Sequence, residues 1–265
     1  MKSKIAVILP SRGMSFSESM EELLRELDGK DYRIFFSIGN SLPDCFNIPI
    51  EEALKDDSFT HILVVEDDMI LPNGILDEML ALDYPVSALD YPFRKDYEST
   101  VLHAPEGGAI YTGTGFLLIE RWVLDKMPKP VFVTHTAWEM LIDRNNTLVI
   151  WPLDVSHRKT YGLHDVNFGI TMWSNDMPIH VMKRTAGQRK LRALGKPHTN
   201  KGKHDIYVLT KVLRNNTATT SDRDKLQMYL DRLNQVTAVE LRTDKPEYVE
   251  YVDGVATLKE RHVKV

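Results

Sequence analysis

The sequence predicts an α/β fold: a Rossmann-like, mostly parallel central sheet flanked by helices, with a helix and a β-hairpin appended at its C-terminal end. Two observations predict it. Short apolar runs alternate with segments of helical period from residue 4 onward, the signature of strand–helix–strand units. The run Ile62 to Val65 is apolar without alternation, as in a strand covered on both faces. The composition, 43% hydrophobic and 27% charged over 265 residues, is that of an ordinary globular protein.

Taken in order, Lys4 to Leu9 reads as a first strand, closed by the turn Pro10-Ser11-Arg12-Gly13. Ser15 and Glu18 form a capping box ahead of a helix with Met20, Leu23, Leu24 and Leu27 on one face. Tyr32 to Ile38 is a second strand, and Asn47 to Lys55 a short helix. His61 to Gly74, HILVVEDDMILPNG, is a buried strand that ends in three carboxylates. Ile75 to Leu82 is again helical, and Val86 to Leu89 a strand. Phe93 to Pro105 reads as a surface excursion, Glu120 to Met127 as a short helix. Lys129 to Tyr161 mixes aromatics and prolines without a clean period and reads as an irregular, pocket-shaping insertion in which Trp138 and Trp151 could stack on a sugar or base. A helix running to about Trp173 follows Gly162, with Asp165 near its start, and Ile179 to Met182 is a strand. Thr220 or Ser221 caps a helix carrying Leu226, Tyr229, Leu230 and Leu233. The end, YVEYV-DG-VATLK, is a hairpin signal turning at Asp253-Gly254.

The formal net charge of -5 argues against a protein whose whole surface binds nucleic acid, although the stretch Lys183 to Lys203 carries eight Lys and Arg residues and no acid. The single cysteine, Cys45, excludes an intramolecular disulfide and a cysteine-built zinc site and fits a reducing compartment. The N-terminal apolar run is brief and enters a Pro/Gly turn, so it reads as a strand rather than a leader. No run approaches the roughly 20 apolar residues that span a bilayer. The expectation is a cytoplasmic protein with no membrane partner.

Glu66-Asp67-Asp68 concentrates negative charge at one edge of a sheet, where like charges cost energy unless a cation or donors offset them. Ligands bind at that edge in open α/β sheets. Carboxylate oxygens suit hard divalent ions that bridge to phosphates. A helix-opening Asp165 is either a first-turn acid favoured by the helix dipole or a general base. Gly113 and Gly115 allow backbone or ligand to approach closely, or simply serve a turn.

With PSRG after the first strand, EDD at a strand end, Gly113-Thr114-Gly115-Phe116 and His164-Asp165 in that order, the chain resembles the GT-A fold glycosyltransferases, family-2-like, over roughly Lys4 to Ile206. The resemblance implies a transferase domain over 1–206, its nucleotide-sugar part about 1–92 and its acceptor part about 93–206. Residues 207–265 are then an extension for acceptor binding or homo-oligomer formation. In that family a D-x-D motif binds Mn2+ or Mg2+ carrying a nucleotide-diphosphate sugar, here expected to be a UDP-sugar giving hexosyl or N-acetylhexosaminyl transfer. Asp68 matches the direct metal ligand, Glu66 a ligand or ribose contact, and Asp67 supports the loop. The third metal ligand has no unique match; Gln188, His198 and His204 compete. A second motif, commonly Glu-Asp, matches His164-Asp165 and implies Asp165 as the base of an inverting reaction. Pro10, Ser11 and Arg12, Asn47 (at a place where relatives often carry Arg-Asn), and Gly113 and Gly115 are implied on the donor side. The composition around HTNKGKH also looks like phage-encoded members that glycosylate modified bases, which suggests hydroxymethylated DNA as an acceptor. A catalytically silent nucleotide-sugar binding module and a nucleotidyltransferase are the rival readings.

Overall fold

The computed structural model describes residues 3–91 except 12, 14 and 16, residues 100–154 except 135 and 144, residues 164–188 except 186, residues 233–252 except 245, 247 and 248, and residues 255–258. In chain order the elements begin β1 (Lys4–Ser11), α1 (Ser17–Leu27), β2 (Asp31–Ile38), α2 (Asp44–Ala53), β3 (His61–Val65), β4 (Met69–Ile70), α3 (Ile75–Leu82) and β5 (Val86–Asp90). They continue with β6 (Leu102–His103), β7 (Ala109–Tyr111), β8 (Phe116–Glu120), α4 (Arg121–Lys126), β9 (Thr136–Ile142), β10 (Thr147–Asp154) and α5 (His164–Ser174). The last are β11 (His180–Thr185), β12 (Gly187–Gln188), β13 (Ala238–Leu241), β14 (Val249–Val252) and β15 (Val255–Leu258).

The chain divides into two compact units, one formed by Met1–His103, Gly108–Thr134 and His164–Gly202, the other by Ala104–Gly107, His135–Leu163 and Lys203–Val265. The first holds the mixed α/β sheet that the sequence predicts, six strands in the order β11-β5-β8-β3-β1-β2. All pairings are parallel except those of β8, which runs antiparallel between β3 and β5. The continuous apolar runs are explained by helices on both faces. From β1 and β3, Ala6, Ile8, Ile62 and Val64 pack with Phe46 and Ile50 of α2, Val123 of α4 and Phe168 of α5. Ile5, Val7, Leu9, Leu63 and Val65 point the other way, onto Leu23 and Leu27 of α1 and Ile75 and Met79 of α3. Gly169 lets α5 lie directly on β7: a Cβ there would strike the Tyr111 backbone.

The second unit corrects one expectation. Residues within Lys129 to Tyr161 are not irregular: β9 and β10 form an antiparallel hairpin from Ile142↔Leu148 to Thr136↔Asp154, and β13 adds in parallel to β10. Its turn is built by Asp143, whose Oδ1 accepts the N–H groups of Asn145 (2.8 Å) and Thr147 (2.9 Å), and by Asn146 in the left-handed region at φ 58°. Asn tolerates that region, and the prolines nearby hide the strand period. Trp151, expected as a stacking candidate, is fully buried instead. The expected terminal hairpin is present, with β14 paired antiparallel to β15. The helix expected after Thr220 lies outside the described residues, apart from Leu233. Among the described residues, no helix is long and apolar enough to cross a membrane.

Candidate functional site

The acidic triplet sits where strand polarity places it, at the edge where β1, β3 and β5 end. Because β8 is reversed, it begins at this same edge: Val65 pairs with Phe116, and the Glu66 N–H donates to the Gly115 carbonyl at 3.0 Å. The Met69 N–H then reaches back to the Glu66 carbonyl at 3.4 Å, closing a turn that carries Asp67 and Asp68. Beyond the turn, two glutamates one helical turn apart on α1 hold the chain. Glu22 Oε2 accepts from the Leu71 N–H at 2.9 Å, and Glu26 accepts from Gly74 at 2.8 Å and Leu76 at 3.1 Å. The N-cap position of α3 is Gly74, which has no side chain to offer, so Glu26 supplies the cap from a distance.

Glu66 is half-buried, and its carboxyl is pushed up to about 7, first by burial and then by the charge of Asp68, with Asp165 and Asp67 adding to it. One donor opposes them: the Thr114 hydroxyl, 2.9 Å from Glu66 Oε1. Four carboxylates thus share one neighbourhood. Asp67 Oδ2 is buried and has no hydrogen-bond partner among the described residues. Asp67 and Glu66 also border a crevice under Ser19, Met20 and Leu23 that is too narrow for water. Cys45, free and buried, is pushed up to about 11 by burial, with the charge of Glu66 contributing.

The remaining predicted residues fall as follows. Asp165 is half-buried in the first turn of α5 and its Oδ1 accepts the Val166 N–H at 2.9 Å. His164 is buried, with its Nε2 3.1 Å from Thr114 Oγ1 and its ring stacked on Phe46 at 4.8 Å. Gly113 and Gly115 both lie under the ring of Tyr91; a Cβ on Gly113 would collide with the Tyr91 hydroxyl, and one on Gly115 would come within 2.6 Å of Tyr91 Cε1. The Gly115 N–H donates to that hydroxyl at 3.2 Å. Tyr91 is itself held well above the usual phenol range, by burial and by the charges of Glu66 and Asp165. The structure therefore gives the glycines a partner inside the protein.

Asn47 is buried, with its amide accepting from the Phe132 N–H at 2.9 Å and donating to the Phe132 carbonyl at 2.8 Å. Pro10 and Ser11 end β1, half-buried, with Ser11 Oγ accepting the Gly13 N–H at 3.1 Å. Arg12, His198 and His204 lie outside the described residues, as does the basic stretch from Arg189 to Lys203. Lys183 and Arg184 are exposed on β11, Arg184 pairing with Glu78 at 3.5 Å. Gln188 is brought to the site by backbone: β12 pairs with β4, with Gln188 opposite Met69, the residue after Asp68.

Sequence reasoning missed Thr114, Tyr91, Glu22 and Glu26 as parts of this edge. Their partners lie 24 to 50 residues away, and no local pattern announces such contacts.

Among the described residues, no three side chains of His, Cys, Asp or Glu converge as a complete metal cage.

No family model and no curated protein matches the chain. Among solved structures it is similar to A197 from STIV, at 16% identity over 71% of this chain and 82% of that one, with a TM-score of 0.43. It is also similar to a mutant Drosophila beta-1,4-galactosyltransferase 7 in complex with manganese, UDP-Gal and xylobiose, at 15% identity over 97% and 93%, with a TM-score of 0.45. A third, 4-diphosphocytidyl-2C-methyl-D-erythritol synthase from Anaerococcus prevotii, has 9% identity over 87% and 99% and a TM-score of 0.33. These values carry neither reaction nor substrate over to this chain.

Proposed function

We propose that the chain is a metal-dependent glycosyltransferase of the GT-A kind, moving a sugar from a nucleotide-diphosphate sugar, a UDP-sugar first among them, to an acceptor hydroxyl. The observation that carries this reading is the convergence on Glu66. The charges of Asp68, Asp165 and Asp67 all bear on one half-buried carboxyl, at the sheet edge where α/β proteins bind ligands. Such a cluster is costly by itself and suits a divalent cation bound through oxygen. Asp68 and Glu66 would hold Mn2+ or Mg2+, which supplies charge to stabilise the departing diphosphate. Asp165, whose charge bears on Glu66 from the first turn of α5, would take the proton of the acceptor hydroxyl as it attacks, giving inversion. Tyr91 fills the space that side chains at Gly113 and Gly115 would take, so these glycines would meet the donor through backbone alone.

For the acceptor, the acid-free run from Lys183 to Lys203 favours a polyanion, with hydroxymethylated duplex DNA as the first to try. Its affinity should fall steeply with salt if these cations contact phosphate. The donor site is tested by thermal unfolding against nucleotide sugars and nucleoside diphosphates, with and without Mn2+, in the wild type and Asp68→Ala. A true donor at a hundred times its dissociation constant stabilises the fold by about 2.7 kcal/mol. The shift should need Mn2+ and vanish in the variant; no shift with any nucleotide would sink the reading.

A further inference from the structure

Thr114 touches both halves of this edge. Its Oγ1 lies 2.9 Å from Glu66 Oε1 and 3.1 Å from His164 Nε2. Thr114 is 2% exposed and His164 7%, so solvent hardly competes for either contact. A threonine hydroxyl has one proton to give and lone pairs with which to receive. An ionised Glu66 can only accept, so the Thr114 proton points to Oε1. The hydroxyl must then receive from His164, whose Nε2 carries hydrogen. The His164 ring is kept from turning by Phe46, stacked at 4.8 Å and 22°, and by Phe132, edge-on at 5.9 Å and 67°. The two places where the sequence departs from the transferase motifs, Glu66 and His164, are thus the two ends of one hydrogen-bonded chain. An acid at 164 would leave two carboxylates competing for the single proton of Thr114; a histidine resolves the conflict by donating.

We infer that Thr114 and His164 are positioning residues that lock Glu66 in one orientation, committing Oε1 to the protein and presenting Oε2 to a cation or ribose. Glu66 is then a one-oxygen ligand, and the carboxylate on the donor side is tied to the helix that carries Asp165. The functional meaning rests on the proposed donor site; with Glu66 ionised, the direction of the hydrogen bonds can be read without any ligand.

The test uses the full chain with 15N-labelled histidine, metal-free and well above neutral pH, together with Mn2+ titration calorimetry. The His164 resonance, identified by its loss in His164→Gln, should show hydrogen on Nε2, and in Thr114→Val that signature should be lost. The same valine variant, close in shape, should bind Mn2+ about tenfold or more weakly, while Thr114→Ser restores both readouts. A His164 ring with its hydrogen on Nδ1 alone, or a valine variant that binds Mn2+ as the wild type does, overturns the inference. If the wild type binds no Mn2+ at all, the donor site falls, and the imidazole signal still decides whether the lock exists. Should the valine variant fail to fold, the wild-type resonance and the serine variant decide it.

Discussion

Glu26 and Glu66 stand on either side of the same stretch of chain, and the protein treats them in opposite ways. Glu26, 3% exposed, receives two backbone N–H groups at the start of α3 and has the Arg25 side chain 3.9 Å away. Glu66 receives one hydroxyl and is otherwise pressed by the charges of three aspartates. Donors from the main chain and a helix N-terminus make a withdrawn carboxylate a fixed strut. Withholding them leaves a carboxylate that holds its proton well above the ordinary range. The two differ in burial and, more sharply, in the donors the protein supplies.

The largest effects should come from the unsatisfied side. Asp165→Asn should lower kcat by about 10²- to 10⁴-fold, the range for loss of a general base, with KM for the donor little changed in steady-state assays. Next in size, Glu26→Ala should cost about 3 kcal/mol in urea unfolding, since it strands two backbone donors that a charged group had satisfied. Glu66→Gln should do the reverse in metal-free protein at neutral pH and leave stability equal or higher. A loss at Glu66 matching that at Glu26 would erase the distinction between the two.

The pH dependence follows from the same contrast. Between the ordinary value of 4.5 and about 7, folded Glu66 holds its proton more tightly than unfolded Glu66 does. Its contribution to stability is therefore fully present below 4.5 and lost as pH rises through 7. Urea midpoints of metal-free wild type should carry this fall, and Glu66→Gln should lack it. Smallest of all, Arg184→Ala breaks an exposed pair with Glu78 and should shift stability by no more than about 0.5 kcal/mol.

Much of the site's frame was legible in the sequence. A strand apolar on both faces that ends in three acids can only deliver them to a sheet edge, and the helix expected after Gly162, with Asp165 near its start, is α5. The hairpin from Thr136 to Asp154 was masked by Pro152 and by the prolines that precede it. The resemblance puts Asn47 on the donor side, and glycine's tolerance of close approach puts Gly113 and Gly115 there; their partners, Phe132 and Tyr91, lie far along the chain. Thr114 was visible only as a turn residue between glycines. Its role depends on two partners 48 and 50 residues distant, which no window on the sequence brings together.

The reversed strand β8 also sets a schedule for synthesis. β3 and β5 both emerge before it, yet they never pair with each other, because β8 occupies the place between them. A nascent chain released only as far as Asp90 lacks the strand that fills the slot between them. Only when Phe116–Glu120 has left the ribosome and threaded into that slot can Glu66 meet Thr114. Phe116–Glu120 is thus the last interior strand of the central sheet to be made, and α5 with His164 and Asp165 follows it.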